Sequence, residues 1–380
     1  MTSTTSDVIV IGAGVIGAAV AWRCAQRGLT VTVVDPGPDR GAWHTAAGML
    51  APITELHYAE TPLLRLNLDS LARYPAFCTE LGVQTGLPTG FVECGTVSIA
   101  WDGADLSALR DLHAFGCTLG MEATLLTGRE LRELEPALAA GLPGGLLARG
   151  DHQVDPRLLH AALVAAAEGA GVKRRRAGAV LDVVADRAVG TRLDDGTLLS
   201  GHTVVLAAGA WSAQVGGVPP ECVARVRPVK GQTLRLRLLG QPRLRRVIRG
   251  SVKGAPIYLV PRADGQLIVG ASSDEVGFDL SPRAGAVYEL LRDAQSLLPE
   301  LAEAVLEEVC TGLRPGSPDN APIIGPSGLP GLIHATGHFR NGILLTPVTA
   351  DAVAELIETG ELPSGLAPFA PARFGQAVPA

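Results

Sequence analysis

The chain has 380 residues, 47% hydrophobic and 18% charged, which is more than one compact core holds and enough apolar material to bury two. A net charge of −6, 4% aromatic residues and no stripe of Lys and Arg interleaved with aromatics argue against nucleic-acid binding. Six scattered cysteines without a C-x-x-C pair argue against a zinc site or a disulfide framework; with a short polar N-terminus and no apolar run of spanning length, they predict a cytoplasmic protein with no membrane segment.

From the N-terminus, Val8-Ile9-Val10-Ile11 is a β-branched run of the kind found in buried parallel strands. Gly12-Ala13-Gly14-Val15-Ile16-Gly17 follows, then helical composition from Ala18 to Arg27 with Gly28 as its stop. Leu29 to Val34 reads as a second strand ending on Asp35, which completes a βαβ unit. Helical periodicity returns from Pro62 to Leu81. Phe91–Ala100 and Gly145–Arg149 read as strands around helical stretches at 104–116 and 127–134. Asp155 caps a helix over Arg157–Gly169, with Pro156 in its first turn. The basic run Lys173-Arg174-Arg175-Arg176 reads as a solvated turn. Strands follow at Val180–Ala185, Val189–Leu193, Thr203–Ala207, Gln232–Leu238, Ile257–Pro261, Leu267–Ala271 and Leu332–Thr336, with turns at Asp194-Asp195-Gly196 and Ala263-Asp264-Gly265. Pro282–Leu298 and Thr346–Thr359 read as helices, and the Pro/Ala-rich tail after Pro363 as loosely ordered.

Nucleotide-type elements thus stand at the start, middle and end, with antiparallel-looking strands between them. The fold class is α/β (α+β). A Rossmann-like dinucleotide-binding domain over 1–80, 150–220 and 310–362 carries an inserted, mainly antiparallel β substrate domain over 81–149 and 221–309, and 363–380 form the tail.

The chemistry starts at the glycine loop. Gly12 permits a tight turn, Gly14 lets backbone approach a pyrophosphate, and Gly17 lets helix and strand pack. The helix N-terminus at Val15 and Ile16 offers N–H groups and a positive dipole end to phosphates. Asp35 is placed to accept bonds from ribose hydroxyls, and its charge opposes a 2′-phosphate, which argues against NADP. The loop alone does not separate NAD from FAD. The strand running into Ala208-Gly209-Ala210-Trp211-Ser212 favours FAD, because small residues there let the chain return to the cofactor. A second glycine-rich loop, Gly337-His338-Phe339-Arg340-Asn341-Gly342-Ile343-Leu344, leads into a helix and aims its N-terminus at an anionic target. In a flavin site that target is the N1/C2-carbonyl edge.

These motifs stand beside Ala46-Ala47-Gly48-Met49-Leu50-Ala51-Pro52, Val154-Asp155-Pro156, Pro228-Val229-Lys230-Gly231-Gln232, Tyr258-Leu259-Val260-Pro261-Arg262 and Gly312-Leu313-Arg314-Pro315. Over nearly its whole length the chain resembles the D-amino-acid oxidase family of flavoproteins, most closely the glycine oxidase branch. The resemblance implies non-covalent FAD and oxidative deamination of a small amino acid or amine by O2, giving an imine, then an oxo acid, ammonia and hydrogen peroxide. It implies that Arg314 grips the substrate carboxylate bidentately, that the Tyr258 hydroxyl helps hold it, and that Arg340 either touches substrate or orders its loop. It also implies flavin-ring contacts from Ala46, Ala47, Gly48 and Met49, and adenine contacts from the Val180 backbone. The implied chemistry takes orientation and electrostatics from the protein, so His338, His334 and Lys230 are not read as bases. Gly312, not Cys310, aligns with the flavin-attaching cysteine of sarcosine oxidases. Relatives carry His and Met where this chain has Pro256 and Ser273. A D-amino-acid oxidase or dehydrogenase, a sarcosine-oxidase-like enzyme and a flavin subunit that hands its imine to a partner therefore stand as alternatives. A role in thiamine biosynthesis and a homotetramer follow by family analogy.

Overall fold

The run Val8–Ile11 lies in the middle of a sheet, with Val8, Ile9 and Val10 fully buried. In the computed structural model, which describes residues 4–37, 41–239 and 244–375, the strand Thr4–Ile11 pairs in parallel with Leu198–Leu206 on one side and Val31–Val34 on the other. Beyond Leu198–Leu206 come Leu332–Thr336 and Ile323–Pro326; beyond Val31–Val34 comes Lys173–Arg175. The hairpin Ala179–Val184 and Arg187–Leu193 also joins this sheet, against Leu198–Leu206. Helices Val15–Gln26, Thr61–Thr85, Pro156–Gly169 and Thr346–Thr359 share one core around Trp22, Tyr74 and Phe77. Asp155 caps the third of these by accepting from the N–H groups of Arg157 and Leu158.

A second sheet runs in the order Val305–Gly316, Arg227–Arg237, Gln266–Gly270, Ala255–Pro261, Val247–Val252, Thr96–Ala100, Gly144–Ala148, Thr124–Thr127. Its pairings are antiparallel except for the parallel pair Val247–Val252 with Thr96–Ala100. Helix Ala284–Leu297 packs on its buried face through Leu290, Ala294 and Leu297.

Four features depart from the sequence expectations. Lys173–Arg175 is no turn; it is an edge strand paired with Thr32–Val34, a place where exposed basic side chains cost little. The strand Val305–Gly316 continues past the boundary expected at 310 and stays in the second sheet along the whole of Arg227–Arg237. Its Pro315 is tolerated because the strand is at the sheet edge. Val247–Val252 and Ile323–Pro326 are strands that a glycine and a short run concealed. The tail is packed through residue 374: Leu366 and Phe369 enter the main core, and the Arg373 Nε lies 2.8 Å from Asp319.

Candidate active site

At the nucleotide end, two sequence motifs meet. Gly12 adopts φ +109°, and a β-carbon on it would overlap the carbonyl oxygen of Ala207 in the return segment. A β-carbon on Gly17 would overlap the Gly12 carbonyl. Gly14 is different: the nearest atom to a β-carbon there is Trp43 at 3.9 Å, so protein packing does not demand a glycine. Among the described residues no side chain caps the helix Val15–Gln26, and its first turn carries no acid. Both observations leave room for an anion at the helix N-terminus. The Asp35 Oδ2 accepts from the Ala13 N–H and Oδ1 from the Gly37 N–H, each at 2.7 Å, and each oxygen keeps a second acceptor site. A cavity of about 260 Å³ opens here, lined by Ala13, Val33, Asp35, Arg174, Arg175 and Arg176. The basic run that sequence patterning gave to solvent therefore borders the acid of the fingerprint. Val180 is half exposed beside Gly216 and is not part of that lining. Gly209 has open space around it, and Trp211 turns its ring toward Phe278 at 5.9 Å.

The second glycine loop and the Ala46–Met49 segment face the other end. Gly48, at φ +78°, lies against Val154 and Pro156, and the Val154 N–H donates to its carbonyl at 2.9 Å. The buried Arg262 donates to the Ala47 carbonyl and to Gln153, both at 2.6 Å, and its Nε lies 3.5 Å from Asp155, tying three sequence motifs together. Tyr74 donates to the Ile343 carbonyl and Ser70 to that of Leu344, so the helix Thr61–Thr85 anchors the loop. Gly337 takes φ +71° against Ile323. Asn341 is buried, its N–H bonded to the His338 carbonyl at 2.9 Å, and Gly342 follows it into the turn before the helix. The His338 Nε2 lies 3.1 Å from the Thr349 hydroxyl, and its backbone bridges to Gly316.

The residues expected to bind substrate stand on the second sheet. Arg314 extends over Gly231 of the neighbouring strand, where a β-carbon would lie 2.6 Å from its guanidinium. Tyr258 extends over its partner Gly270, where a β-carbon would overlap the hydroxyl. The strands of Gly231 and Gly270 are adjacent, so the two side chains lean toward each other. The Arg314 Nη1 is held at 3.1 Å by the Ser272 carbonyl and at 3.4 Å by that of Lys230. Among the described residues its Nη2 and Nε have no acceptor and are not sealed from solvent.

The FAD dependent oxidoreductase family (DAO) matches residues 7–356. The chain belongs to this family. Its cofactor is FAD, and the glycine cradle, uncapped helix and Asp35 fit the dinucleotide. The chain is 36% identical to a glycine oxidase of Geobacillus kaustophilus, over 96% of each protein. It is also 36% identical to the bifunctional protein ThiO/ThiG of a Nostoc species, over 93% of this chain and 53% of that protein, so it spans about half the length of such relatives. The crystal structure of glycine oxidase from Geobacillus kaustophilus superposes with a TM-score of 0.88, 34% identity, 98% coverage of this chain and 99% of that one.

The oxidoreductase site holds residues that sequence reasoning missed. Arg249, opposite Tyr258, pairs with Glu55. The Arg340 Nη2 lies 3.0 Å from Glu60 and its Nε 3.6 Å from Glu55, so Arg340 is engaged by two carboxylates. Burial pushes the Glu55 carboxyl up, but Arg249 and Arg340 outweigh it and hold Glu55 below its usual range. Burial pushes the Tyr258 hydroxyl up to about 12 against the pull of Arg314 and Arg249, so it stays protonated and can donate. Burial lowers His338 to about 3 and His334 to about 4, so both stay neutral and neither is placed as a base. Pro256 and Ser273 are both exposed. His44, Glu308 and Cys310 bring ligand atoms within 4.8 Å of one another, but the Arg157 Nη2 already lies 2.9 Å from Glu308, 3.3 Å from the His44 Nδ1 and 3.4 Å from the Cys310 Sγ.

Proposed function

We propose that this oxidoreductase converts glycine, O2 and water to glyoxylate, ammonia and hydrogen peroxide through an imine that water hydrolyses. The carrying observation is the convergence of Arg314 and Tyr258 over two glycines, with donors left over. A carboxylate in such a partly buried place is costly unless paired, and the Arg314 fork with the Tyr258 O–H supplies that pairing. FAD, held non-covalently by the glycine cradle, the uncapped helix and Asp35, would supply the hydride acceptor and the route for electrons to O2. The protein orients the α-carbon by fixing the carboxylate, and Tyr258 keeps its proton throughout. Arg340, already committed to Glu60 and Glu55, orders the loop. Relatives named glycine oxidase, and bifunctional proteins named ThiO/ThiG, support glycine as substrate and a supply role in thiamine biosynthesis.

Among the described residues no helix is long and apolar enough to cross a membrane. A cytoplasmic homo-oligomer is the form we propose. Anaerobic mixing with glycine, sarcosine, D-alanine and D-proline tests the reading: glycine and sarcosine bleach the flavin, and peroxide appears when air is admitted. Bleaching by D-proline far ahead of glycine would replace it with a D-amino-acid oxidase.

A further inference from the structure

Arg249 and Tyr258 are register partners in the antiparallel pair Val247–Val252 and Ala255–Pro261, so their side chains leave the same face of the second sheet. Arg314 reaches the same face from beyond two intervening strands, over Gly231, while Tyr258 leans toward it over Gly270. The Arg249 Nη1 is engaged by Glu55 and lies 3.8 Å from the Met49 Sδ. Among the described residues its Nε and Nη2 have no acceptor and are not sealed from solvent. Its side chain is 24% exposed, so these donors face a restricted space rather than bulk water. Arg340 differs in being shared between two carboxylates, with Nη2 3.0 Å from Glu60 and Nε 3.6 Å from Glu55. A substrate with one carboxylate completes Arg314 and leaves the Arg249 fork half used.

We propose that Arg249 is a substrate-binding residue and that the pocket takes small amino acids carrying a second carboxylate. One carboxylate binds Arg314 and Tyr258; the other completes the fork of Arg249, while Glu55 fixes the orientation of that fork. This inference rests on the amino-acid oxidase reading above. The second carboxylate is carried either on the nitrogen or on the α-carbon, and both present the same anion to Arg249.

The test uses the FAD-loaded enzyme and two ligands that cannot be oxidised at an amine: oxydiacetate, with two carboxylates, and methoxyacetate, with one. Calorimetry on the wild type is expected to show oxydiacetate bound about tenfold tighter or more, the effect of one charge-assisted pair. In Arg249→Met the preference is expected to vanish, and in Arg249→Lys, which keeps the charge beside Glu55, to survive in part. Equal binding of both ligands by the wild type, or a preference retained in Arg249→Met, overturns the proposal. Thermal melts of both variants establish that they are folded. Turnover ratios of iminodiacetate over sarcosine and of D-aspartate over D-alanine locate the second carboxylate: the ratio that collapses in Arg249→Met marks the nitrogen or the α-carbon side. If no amine bleaches the flavin, the oxidase reading fails, and the calorimetry still decides the role of Arg249.

Discussion

Gly12 and Ala207 meet backbone to backbone, so the return strand by itself requires the first glycine of the fingerprint. Gly14, by contrast, has room for a methyl group, since Trp43 is 3.9 Å from where it would stand. The two glycines therefore predict different failures. Gly12→Ala forces a left-handed φ and an overlap, and is expected to yield little folded protein. Gly14→Ala is expected to change the apoprotein's unfolding free energy by less than about 1 kcal/mol, because its φ of −67° suits alanine. The methyl would nevertheless stand where phosphate approaches, and FAD affinity is expected to fall about tenfold or more. Urea unfolding of the apoproteins and fluorescence titration with FAD separate the two effects; wild-type FAD affinity in Gly14→Ala would remove the pyrophosphate from that face.

Arg314 and Tyr258 are expected to differ in weight. Arg314→Leu removes the charged partner of a partly buried carboxylate, and kcat/KM for glycine should fall by a factor on the order of 100 to 1,000. Tyr258→Phe removes one neutral donor and should cost about threefold to tenfold. Because the hydroxyl titrates near 12, wild-type KM should show no loss attributable to Tyr258 up to pH 10. Steady-state kinetics across pH on both variants checks the order, and a larger loss in Tyr258→Phe than in Arg314→Leu would reverse the assignment.

The nucleotide end was legible because its signals are local: glycines and an acid at fixed spacing within one βαβ unit. Arg314 and Tyr258 were legible through motif resemblance, since neither residue advertises a partner by itself. Arg249 and Glu55 were not, because 194 positions separate them and only the register of the second sheet brings the arginine beside Tyr258. The pairing of Arg340 with Glu60, 280 positions away, was hidden for the same reason. The basic run at 173–176 misled because charge alone does not separate a solvated turn from an edge strand; the pairing with Thr32–Val34 decides it.

Asp151 is expected to act on the site from below. It is fully buried, and its Oδ1 accepts from the Ile53 N–H at 3.0 Å, while Oδ2 accepts from the Thr54 N–H at 2.8 Å and hydroxyl at 2.6 Å. Glu55 is the next residue, so this clamp positions the carboxylate that holds Arg249. Asp151→Ala strands buried donors and should cost about 2–3 kcal/mol of stability. The orientation of Arg249 should loosen with it, read as a raised KM together with a lowered melting temperature. A melting temperature equal to wild type would mean that water replaces the clamp.

Three buried groups together should make stability rise with pH between about 4 and 6.5. His334 and His338, lowered by burial to about 4 and about 3, stay neutral in the folded chain while the unfolded chain protonates them below about 6.5. Each therefore favours folding at higher pH and loses its contribution as pH falls. Asp151, raised by burial to about 6, is protonated when folded and ionised when unfolded between its ordinary value and about 6, so it opposes them there. The net difference is about one proton, or about 1.4 kcal/mol per pH unit from these three groups. His338→Gln should flatten the slope by about that amount and Asp151→Asn should steepen it equally. Urea midpoints at half-unit steps of pH measure both, and a slope unchanged in His338→Gln would show that the histidine is charged in the folded state.

The C-terminal segment should behave as core rather than as a tail. Leu366 and Phe369 are each 2% exposed in the cluster that also contains Tyr74 and Val353. Arg373 ties the segment down through Asp319, at 2.8 and 3.0 Å, and through the Ala321 carbonyl at 3.0 Å. Phe369→Ala should cost about 3–5 kcal/mol, the range for deleting a buried aromatic ring. Arg373→Ala, whose partner Asp319 is partly exposed, should cost about 1 kcal/mol or less. Truncation after Pro363 removes both apolar anchors and uncovers the Thr61–Thr85 helix and the Ile323–Pro326 strand, so it should destabilise at least as much as Phe369→Ala. It should also weaken FAD binding, because the Thr61–Thr85 helix carries the second glycine loop through Tyr74 and Ser70. Unfolding curves and FAD titration of the truncated chain decide it: a midpoint and an affinity equal to wild type would return the segment to the status of a dispensable tail.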